Sequence, residues 1–239
     1  MKILMATPSY GGILTTRWFN SFLATSQYIN SKGHIFSVMT MERDNFIARA
    51  RNTCAMVAME QEFDKLLFID HDQVWTPEQV EMLLESDKPI IGGTYPYKHF
   101  PLELIFNAMP EHVDYWAKDK SMAAYIKYIN KFQNDKGEVE VYHLPTGFMM
   151  IDVSVFHTLK ATSPQYQGID PHTFNVKPVY DFFPIKLTPL EDSPLMAYET
   201  EDWGFCSHAR SAGFKIHLKA KCIVEHYGQH TYNALKARV

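Results

Sequence analysis

The chain has 239 residues, of which 46% are hydrophobic and 21% charged, as in globular proteins that bury an ordinary core. Its net charge is −4 and no block of like charge occurs. We therefore expect no binding to a nucleic-acid backbone. The three cysteines lack Cys-x-x-Cys spacing, which argues against a disulfide framework and a cysteine zinc site. No signal peptide and no apolar run of about 18 residues is present, so we expect a soluble cytoplasmic protein without a membrane span.

The first hundred residues alternate short apolar runs with amphipathic stretches, a pattern typical of βαβ units. Strands are predicted over residues 3–7, 35–40, 66–69 and 89–92. Helices are predicted over 15–31, over 45–61 and from Pro77 onward, with Thr76 as the N-cap of the last one.

Beyond residue 95 the alternation breaks down. We predict a helix over 112–130, strands over 141–144 and 148–153, a loop-rich region over 160–197, a helix over 199–212, and strands over 215–218 and 222–224. The expected fold is an α/β, Rossmann-like, mixed but mostly parallel sheet flanked by helices. No linker is evident, so the chain is predicted to be a single domain.

Two carboxylates mark the end of the third predicted strand. Asp70 ends the apolar run at residues 66–69 and Asp72 lies just past it. Ligands of open α/β sheets bind beyond the carboxyl ends of the strands, and two such carboxylates can bracket one hard cation. The alternative is that one of them caps the next helix, where Thr76 already occupies the N-cap.

The sequence around these carboxylates resembles the GT-A fold glycosyltransferases, especially the family-2-like group. The resemblance covers residues 3–228 and is carried in order by Ala50-Arg51-Asn52, Asp70-His71-Asp72 (a D-x-D motif), Thr76-Pro77-Glu78, Ile91-Gly92-Gly93, Pro145-Thr146-Gly147, Glu201-Asp202 and Val224-Glu225-His226. It implies the GT-A fold, with a nucleotide-sugar-binding half over 1–94 and an acceptor-binding and catalytic half over 95–239.

The resemblance also implies roles for individual residues around a Mn²⁺ or Mg²⁺ ion. Asp72 is expected to bind the metal, Asp70 to lie near the ribose or the metal, and His226 to complete the metal site. His71 receives no role. A solvated loop histidine is the alternative for His226.

On the donor side, the segment Pro8-Ser9-Tyr10 is expected to hold the nucleobase and ribose. The resemblance assigns Arg51 to the donor base or diphosphate, with a solvent-facing arginine as the alternative. Gly147 would let the backbone approach the donor sugar closely.

On the acceptor side, the resemblance makes Asp202 the general base and gives Glu201 an orienting role. The alternative is that both only complement the helix dipole. Aromatic side chains are candidates for acceptor contacts or for the core: Tyr95, Tyr97, Trp116, Tyr180, Phe182 and Phe183.

The resulting hypothesis is an inverting, metal-dependent transfer of a sugar from a nucleotide-diphosphate donor to a glycan or other hydroxyl acceptor. Departure of the diphosphate calls for a cation, and the attacking hydroxyl calls for a base. Three alternatives stay open: a retaining glycosyltransferase, a sugar nucleotidyltransferase, and a non-catalytic carbohydrate-binding module on the same fold.

Overall fold

The structure is a computed structural model that describes residues 1–116, 119–170, 173–190, 193–228 and 230–235. The strands β1 to β14 are, in chain order, Lys2–Ser9, Ile35–Glu42, Lys65–Ile69, Gln73–Val74, Ile90–Thr94, Glu138–Val141, Phe148–Asp152, Gln165–Ile169, Val176–Tyr180, Lys186–Pro189, Met196–Glu199, Ile216–Ile223, Glu225–Tyr227 and Thr231–Tyr232. The helices α1 to α6 are Thr16–Ser31, Ile47–Glu60, Pro77–Leu84, Met122–Phe132, Val153–Leu159 and Glu201–Ser211, and a short 3-10 helix covers Pro110–Tyr115.

Seven strands form the central sheet in the order β2-β1-β3-β7-β5-β12-β6. β1 pairs parallel with β2 and β3, and β5 pairs parallel with β12. β7 lies between these two groups and runs antiparallel to β3 and β5, while β6 runs antiparallel to β12 at the edge. The mixed, Rossmann-like α/β fold is therefore confirmed. Strands from residues 1–94 and 95–239 share the one sheet, and the functional division between these halves stays a prediction.

Helices cover both faces of this sheet because its strands are apolar on both sides. On β1, Ile3 and Met5 pack in a cluster with side chains of α1 and α3. Leu4 and Ala6 point the other way, into a larger cluster with side chains of α2, α4, α5 and α6. Among the described residues, none of the helices has the length and apolar character needed to cross a membrane.

The structure corrects several predicted elements after residue 95. The helix predicted over 112–130 is divided into the 3-10 helix and α4, and part of the connection, residues 117–118, lies outside the described residues. The strand predicted over 141–144 ends at Val141, and the two strands predicted over 215–224 are one strand, β12, with an irregular register against β5.

The region over 160–197 contains two antiparallel hairpins, β8–β9 and β10–β11, where the sequence predicted loops. Prolines favoured the loop interpretation, but each hairpin is a separate two-stranded ribbon. Both strands of such a ribbon have a free edge, where a proline costs no ladder hydrogen bond.

Asn52 on α2 binds the chain that follows the first of these hairpins. The sequence placed Asn52 away from the apolar face of α2, yet it is buried because the chain at 181–183 covers that side of the helix. Its Oδ1 accepts hydrogen bonds from the backbone N–H of Phe182 and Phe183 at 2.9 and 3.0 Å, and its Nδ2 donates to Asp181 at 2.9 Å. One side chain thereby satisfies two buried donors.

A second close contact fixes the first turn of α6. A Cβ added to Gly204 would lie 1.8 Å from the carbonyl oxygen of Pro184. The backbone at Pro184 and the start of α6 therefore approach each other more closely than any side chain allows. This contact sets the position of Glu201 and Asp202, which begin the same helix.

We predict that Gly204→Ala destabilises the protein, because the backbone at 184 must shift to admit one methyl group. The melting temperature should fall by about 3–10 °C, as expected for overpacking a closed contact in a chain of this size. Gly11→Ala is the control, since a Cβ there meets atoms only at 4.0 Å, and it should leave the melting temperature within about 2 °C. Equal melting temperatures for the two variants would contradict this packing argument.

Candidate functional site

The shared direction of the parallel strands brings the candidate residues to one edge of the sheet. Asp70 follows β3, Tyr95 follows β5, and His226 lies just beyond β12. Gly147 precedes β7, and because β7 is antiparallel its first residues lie at the same edge. The carbonyl of Gly147 accepts the backbone N–H of Asp70 at 3.0 Å.

Arg51 is buried at the centre of this edge, with 1% of its surface exposed. Its Nη2 donates to Asp70 Oδ1 at 3.0 Å, and its Nε donates to Glu201 Oε1 at 3.4 Å. The guanidinium also lies over the Phe68 ring, 5.1 Å from its centroid. Burial lowers the pKa of Arg51, but the charges of Asp70 and Glu201 outweigh burial and raise it above its usual value.

The Arg51 guanidinium therefore joins the end of β3 to the start of α6. Its Nη1 is buried and has no hydrogen-bond partner among the described residues. For Glu201, burial raises the pKa, Arg51 lowers it and the charge of Asp202 raises it, with a net increase. A contact of Arg51 with the donor stays a prediction, and the solvent-facing alternative is excluded by its burial.

Asp72 and His226 form a second polar group beside the first. His226 Nε2 lies 3.5 Å from Asp72 Oδ2, and His226 Nδ1 donates to the carbonyl of Pro96 at 2.8 Å. Because a carbonyl oxygen only accepts, this hydrogen bond requires a proton on Nδ1, and Nε2 is the ring nitrogen that faces the carboxylate. Asp72 Oδ1 is buried and has no partner among the described residues.

Lys98 donates to the same oxygen, Asp72 Oδ2, at 2.5 Å. Burial raises the pKa of Asp72, but hydrogen bonds from His226 and Lys98 outweigh it and hold that pKa well below its usual value. Asp72 therefore remains ionised at neutral pH.

Tyr95 and Gly147 close the floor of the site. A Cβ on Gly147 would lie 2.2 Å from the Tyr95 hydroxyl and 2.8 Å from Asp70 Oδ2, so only glycine fits between them. Burial raises the pKa of Tyr95 well above its usual value, and the charges of Asp70 and Asp202 raise it further. The Tyr95 hydroxyl thus keeps its proton and is a hydrogen-bond donor.

A pocket of about 260 Å³ opens beside these groups. It is lined by the end of β1 and the residue after it, the loop before α2 and the D-x-D motif, including Pro8, Tyr10, Asp44, Asp70 and Asp72. Tyr10 is 64% exposed, so its ring is free to stack against a planar ligand.

Asp202 lies at the other side of Glu201, in the first turn of α6. Its Oδ1 accepts the Thr200 hydroxyl and the backbone N–H of Trp203. These bonds orient the carboxylate and leave Oδ2 available to a further proton donor.

The structure thus brings Asp70, Arg51, Gly147 and Glu201 into one network, and Asp72 and His226 into another. Within the described residues, no three or more His, Cys, Asp or Glu side chains form a ready-made metal site. Asp70 points its carboxylate to Arg51, and its role as a metal ligand stays a prediction. His71 is exposed at the rim of the pocket.

The aromatic residues considered for the acceptor are mostly core. Trp116, Phe182 and Phe183 are fully buried, and Tyr95 is part of the site floor. Sequence reasoning missed Lys98, which follows β5 at the same edge as Asp70. The position of a lysine six residues after the strand predicted over 89–92 was a usable signal, obscured by the irregular segment that begins there.

We predict that Arg51→Met destabilises the protein by about 3–5 kcal/mol, the usual cost of leaving buried charges unpaired. Without Arg51 the pKa of Glu201 rises further above its unfolded value. A carboxyl group whose pKa is higher in the folded than in the unfolded state stabilises the fold while it is protonated, at pH below its pKa in the unfolded state. This stabilisation is lost as the pH rises through its pKa in the folded state. The loss relative to wild type should therefore be larger at pH 8 than at pH 5 in urea denaturation.

The matched control is Arg49→Met on the same helix. Arg49 pairs with Asp44 and its side chain is 49% exposed, so its removal should change the free energy of unfolding by less than about 1 kcal/mol. If Arg51→Met lowers the free energy of unfolding equally at both pH values, the charge of Arg51 does not keep the Asp70 and Glu201 carboxylates ionised.

In comparisons with known proteins, no family model and no curated protein matches this sequence. Among solved structures, A197 from STIV covers 96% of this chain and 87% of its own, with 16% sequence identity and a TM-score of 0.54. A putative glucose-1-phosphate thymidylyltransferase from Bacillus anthracis, in complex with a sucrose, covers 68% of this chain and 76% of its own, with 12% identity and a TM-score of 0.35. The first similarity supports the fold alone, and the second is too distant to support an argument.

Proposed function

We propose that the protein is a metal-dependent glycosyltransferase that moves a sugar from a nucleotide-diphosphate donor to a hydroxyl acceptor with inversion. The observation that carries this proposal is the arrangement at one edge of the sheet. Asp72 and His226 stand on one side of the Arg51 network, and the Asp202 carboxylate stands on the other. A pocket that includes Pro8 and Tyr10 adjoins the first pair.

The residues present fit a divalent cation. The Nε2 of His226 and the Oδ2 of Asp72 lie 3.5 Å apart, close to the roughly 3 Å that separates adjacent ligands about 2.1 Å from a hard cation. The bond from His226 Nδ1 to a backbone carbonyl is the outer-shell contact that orients a metal-binding imidazole. When bound, Mn²⁺ or Mg²⁺ would neutralise the diphosphate and stabilise its departure.

The pocket beside Asp72 suits the nucleoside part of the donor. Tyr10 supplies an exposed ring for stacking on a base, and Pro8 and Ser9, the last residues of β1, line the pocket beside it. Asp70 lies between this pocket and Arg51, so its carboxylate can accept a ribose or sugar hydroxyl. Gly147 lets the Tyr95 hydroxyl and the Asp70 carboxylate lie close to the backbone beside the place proposed for the donor sugar.

The acceptor chemistry falls on Asp202. A hydroxyl that attacks the sugar must lose its proton as the diphosphate leaves, through an oxocarbenium-like transition state. Asp202 Oδ2 can take that proton because the carboxylate is held through Oδ1. Glu201, fixed by Arg51, orients the neighbouring backbone and the acceptor.

We predict different defects for two carboxylate variants, measured with a panel of nucleotide sugars with and without Mn²⁺. Asp72→Asn should lose Mn²⁺-dependent transfer by at least about 10²-fold, because the charged metal ligand is removed. Asp202→Asn should lose about 10²–10⁴-fold in transfer through loss of the base, while donor with Mn²⁺ still raises its melting temperature.

Asp87→Asn is the control, because Asp87 is an exposed carboxylate paired with Lys88 and Lys136. It should transfer sugar at the wild-type rate. Wild-type transfer by Asp72→Asn would disprove the metal assignment, and retention of configuration in the product would disprove the base role of Asp202. Release of pyrophosphate from a nucleoside triphosphate would instead identify a nucleotidyltransferase.

A further inference from the structure

Lys98 occupies the space that faces the proposed metal ligands. Its Nζ donates to Asp72 Oδ2, the same oxygen that lies 3.5 Å from His226 Nε2. The other oxygen, Asp72 Oδ1, is buried and unpartnered among the described residues. One carboxylate oxygen therefore receives an ammonium group where a divalent cation would also bind.

The backbone around Lys98 is held in place. Tyr97 N–H donates to the Glu103 carbonyl at 2.9 Å, and the Pro96 carbonyl accepts His226 Nδ1. The Lys98 stem passes over Gly228, where an added Cβ would lie 3.3 Å from Lys98 Cδ. The absence of a side chain at Gly228 leaves room for the stem to reach Asp72.

The Lys98 side chain is more exposed than the carboxylate that it contacts. The Lys98 side chain is 38% exposed, while that of Asp72 is 20% exposed, so only the carboxylate is mostly enclosed. An ammonium and a divalent cation on one oxygen repel each other, and a flexible four-carbon stem lets the lysine leave. Its three N–H donors suit phosphate oxygens close by.

We propose that Lys98 is an internal counter-cation of Asp72 that competes with the divalent cation and then binds the donor diphosphate. In the free protein it neutralises Asp72. Once the cation holds Asp72 Oδ2, Lys98 turns to the adjacent diphosphate and adds a second positive charge to the leaving group. This inference rests on the proposed function and extends it to a residue outside the D-x-D motif.

The proposal predicts effects of opposite sign on two ligands. Lys98→Met should bind Mn²⁺ alone at least about 5-fold more tightly than wild type, because the competing charge is gone. With Mn²⁺ saturating, it should bind inorganic pyrophosphate at least about 5-fold more weakly, because a phosphate-binding cation is lost. Free Mn²⁺ measured by electron paramagnetic resonance and calorimetric titration of pyrophosphate give the two affinities.

Lys98→Gln serves as a second neutral variant and should shift both affinities in the same directions. Lys98→Arg keeps the charge and should stay within about 3-fold of wild type for Mn²⁺. Lys127→Met, an exposed lysine on α4, should change neither affinity. Mn²⁺ binding by either neutral variant that is no tighter than wild type overturns the competition, and unchanged pyrophosphate binding overturns the second step.

These outcomes are separable from failure of the glycosyltransferase proposal. Opposite shifts in the two affinities without sugar transfer from any donor would support the role of Lys98 and disprove the activity. Sugar transfer by wild type together with unchanged affinities in Lys98→Met would support the activity and disprove the role of Lys98.

Discussion

The site depends on one buried cation. Arg51 is almost fully enclosed, and its guanidinium holds Asp70 from the end of β3 and Glu201 from the start of α6. An arginine in such a place must be paired, because an isolated buried charge is costly. The pairing therefore holds the start of α6 against α2 across 150 residues of sequence, from Arg51 to Glu201. The position of the proposed base relative to the D-x-D motif follows from this contact.

The antiparallel strand β7 is the second constraint. It lies between β3 and β5, where a parallel strand would present its carboxyl end to the site. β7 presents its first residues instead, so the turn that contains Gly147 meets Asp70 and Tyr95. The backbone at Gly147 thus forms the base of the site, and the Asp72–His226 pair and Asp202 lie beside it.

The sequence predicted the first half of the fold well, because buried parallel strands and capped helices have strong local patterns. Asp70 and Asp72 could be placed at a strand end from the apolar run before them. The partners of Arg51 could not, because they depend on how the end of β3 and the start of α6 meet α2 in the tertiary structure. The hairpins over 165–199 escaped prediction because their strands alternate only weakly and contain Pro178 and Pro189. Lys98 was missed because its partner is set by a long-range contact.

The hairpin β10–β11 leaves the body of the protein between two anchors. Asn52 holds the backbone at Phe182 and Phe183, and the close approach of Pro184 to Gly204 holds the return. The strands β10 and β11 therefore form a ribbon, and the chain on either side of it is held by contacts outside the ribbon. The contacts that hold the start of α6, the bond from Arg51 to Glu201 and the approach of Gly204 to Pro184, lie outside this ribbon. A chimaera in which only this ribbon is exchanged should therefore keep Glu201 in its place beside Arg51.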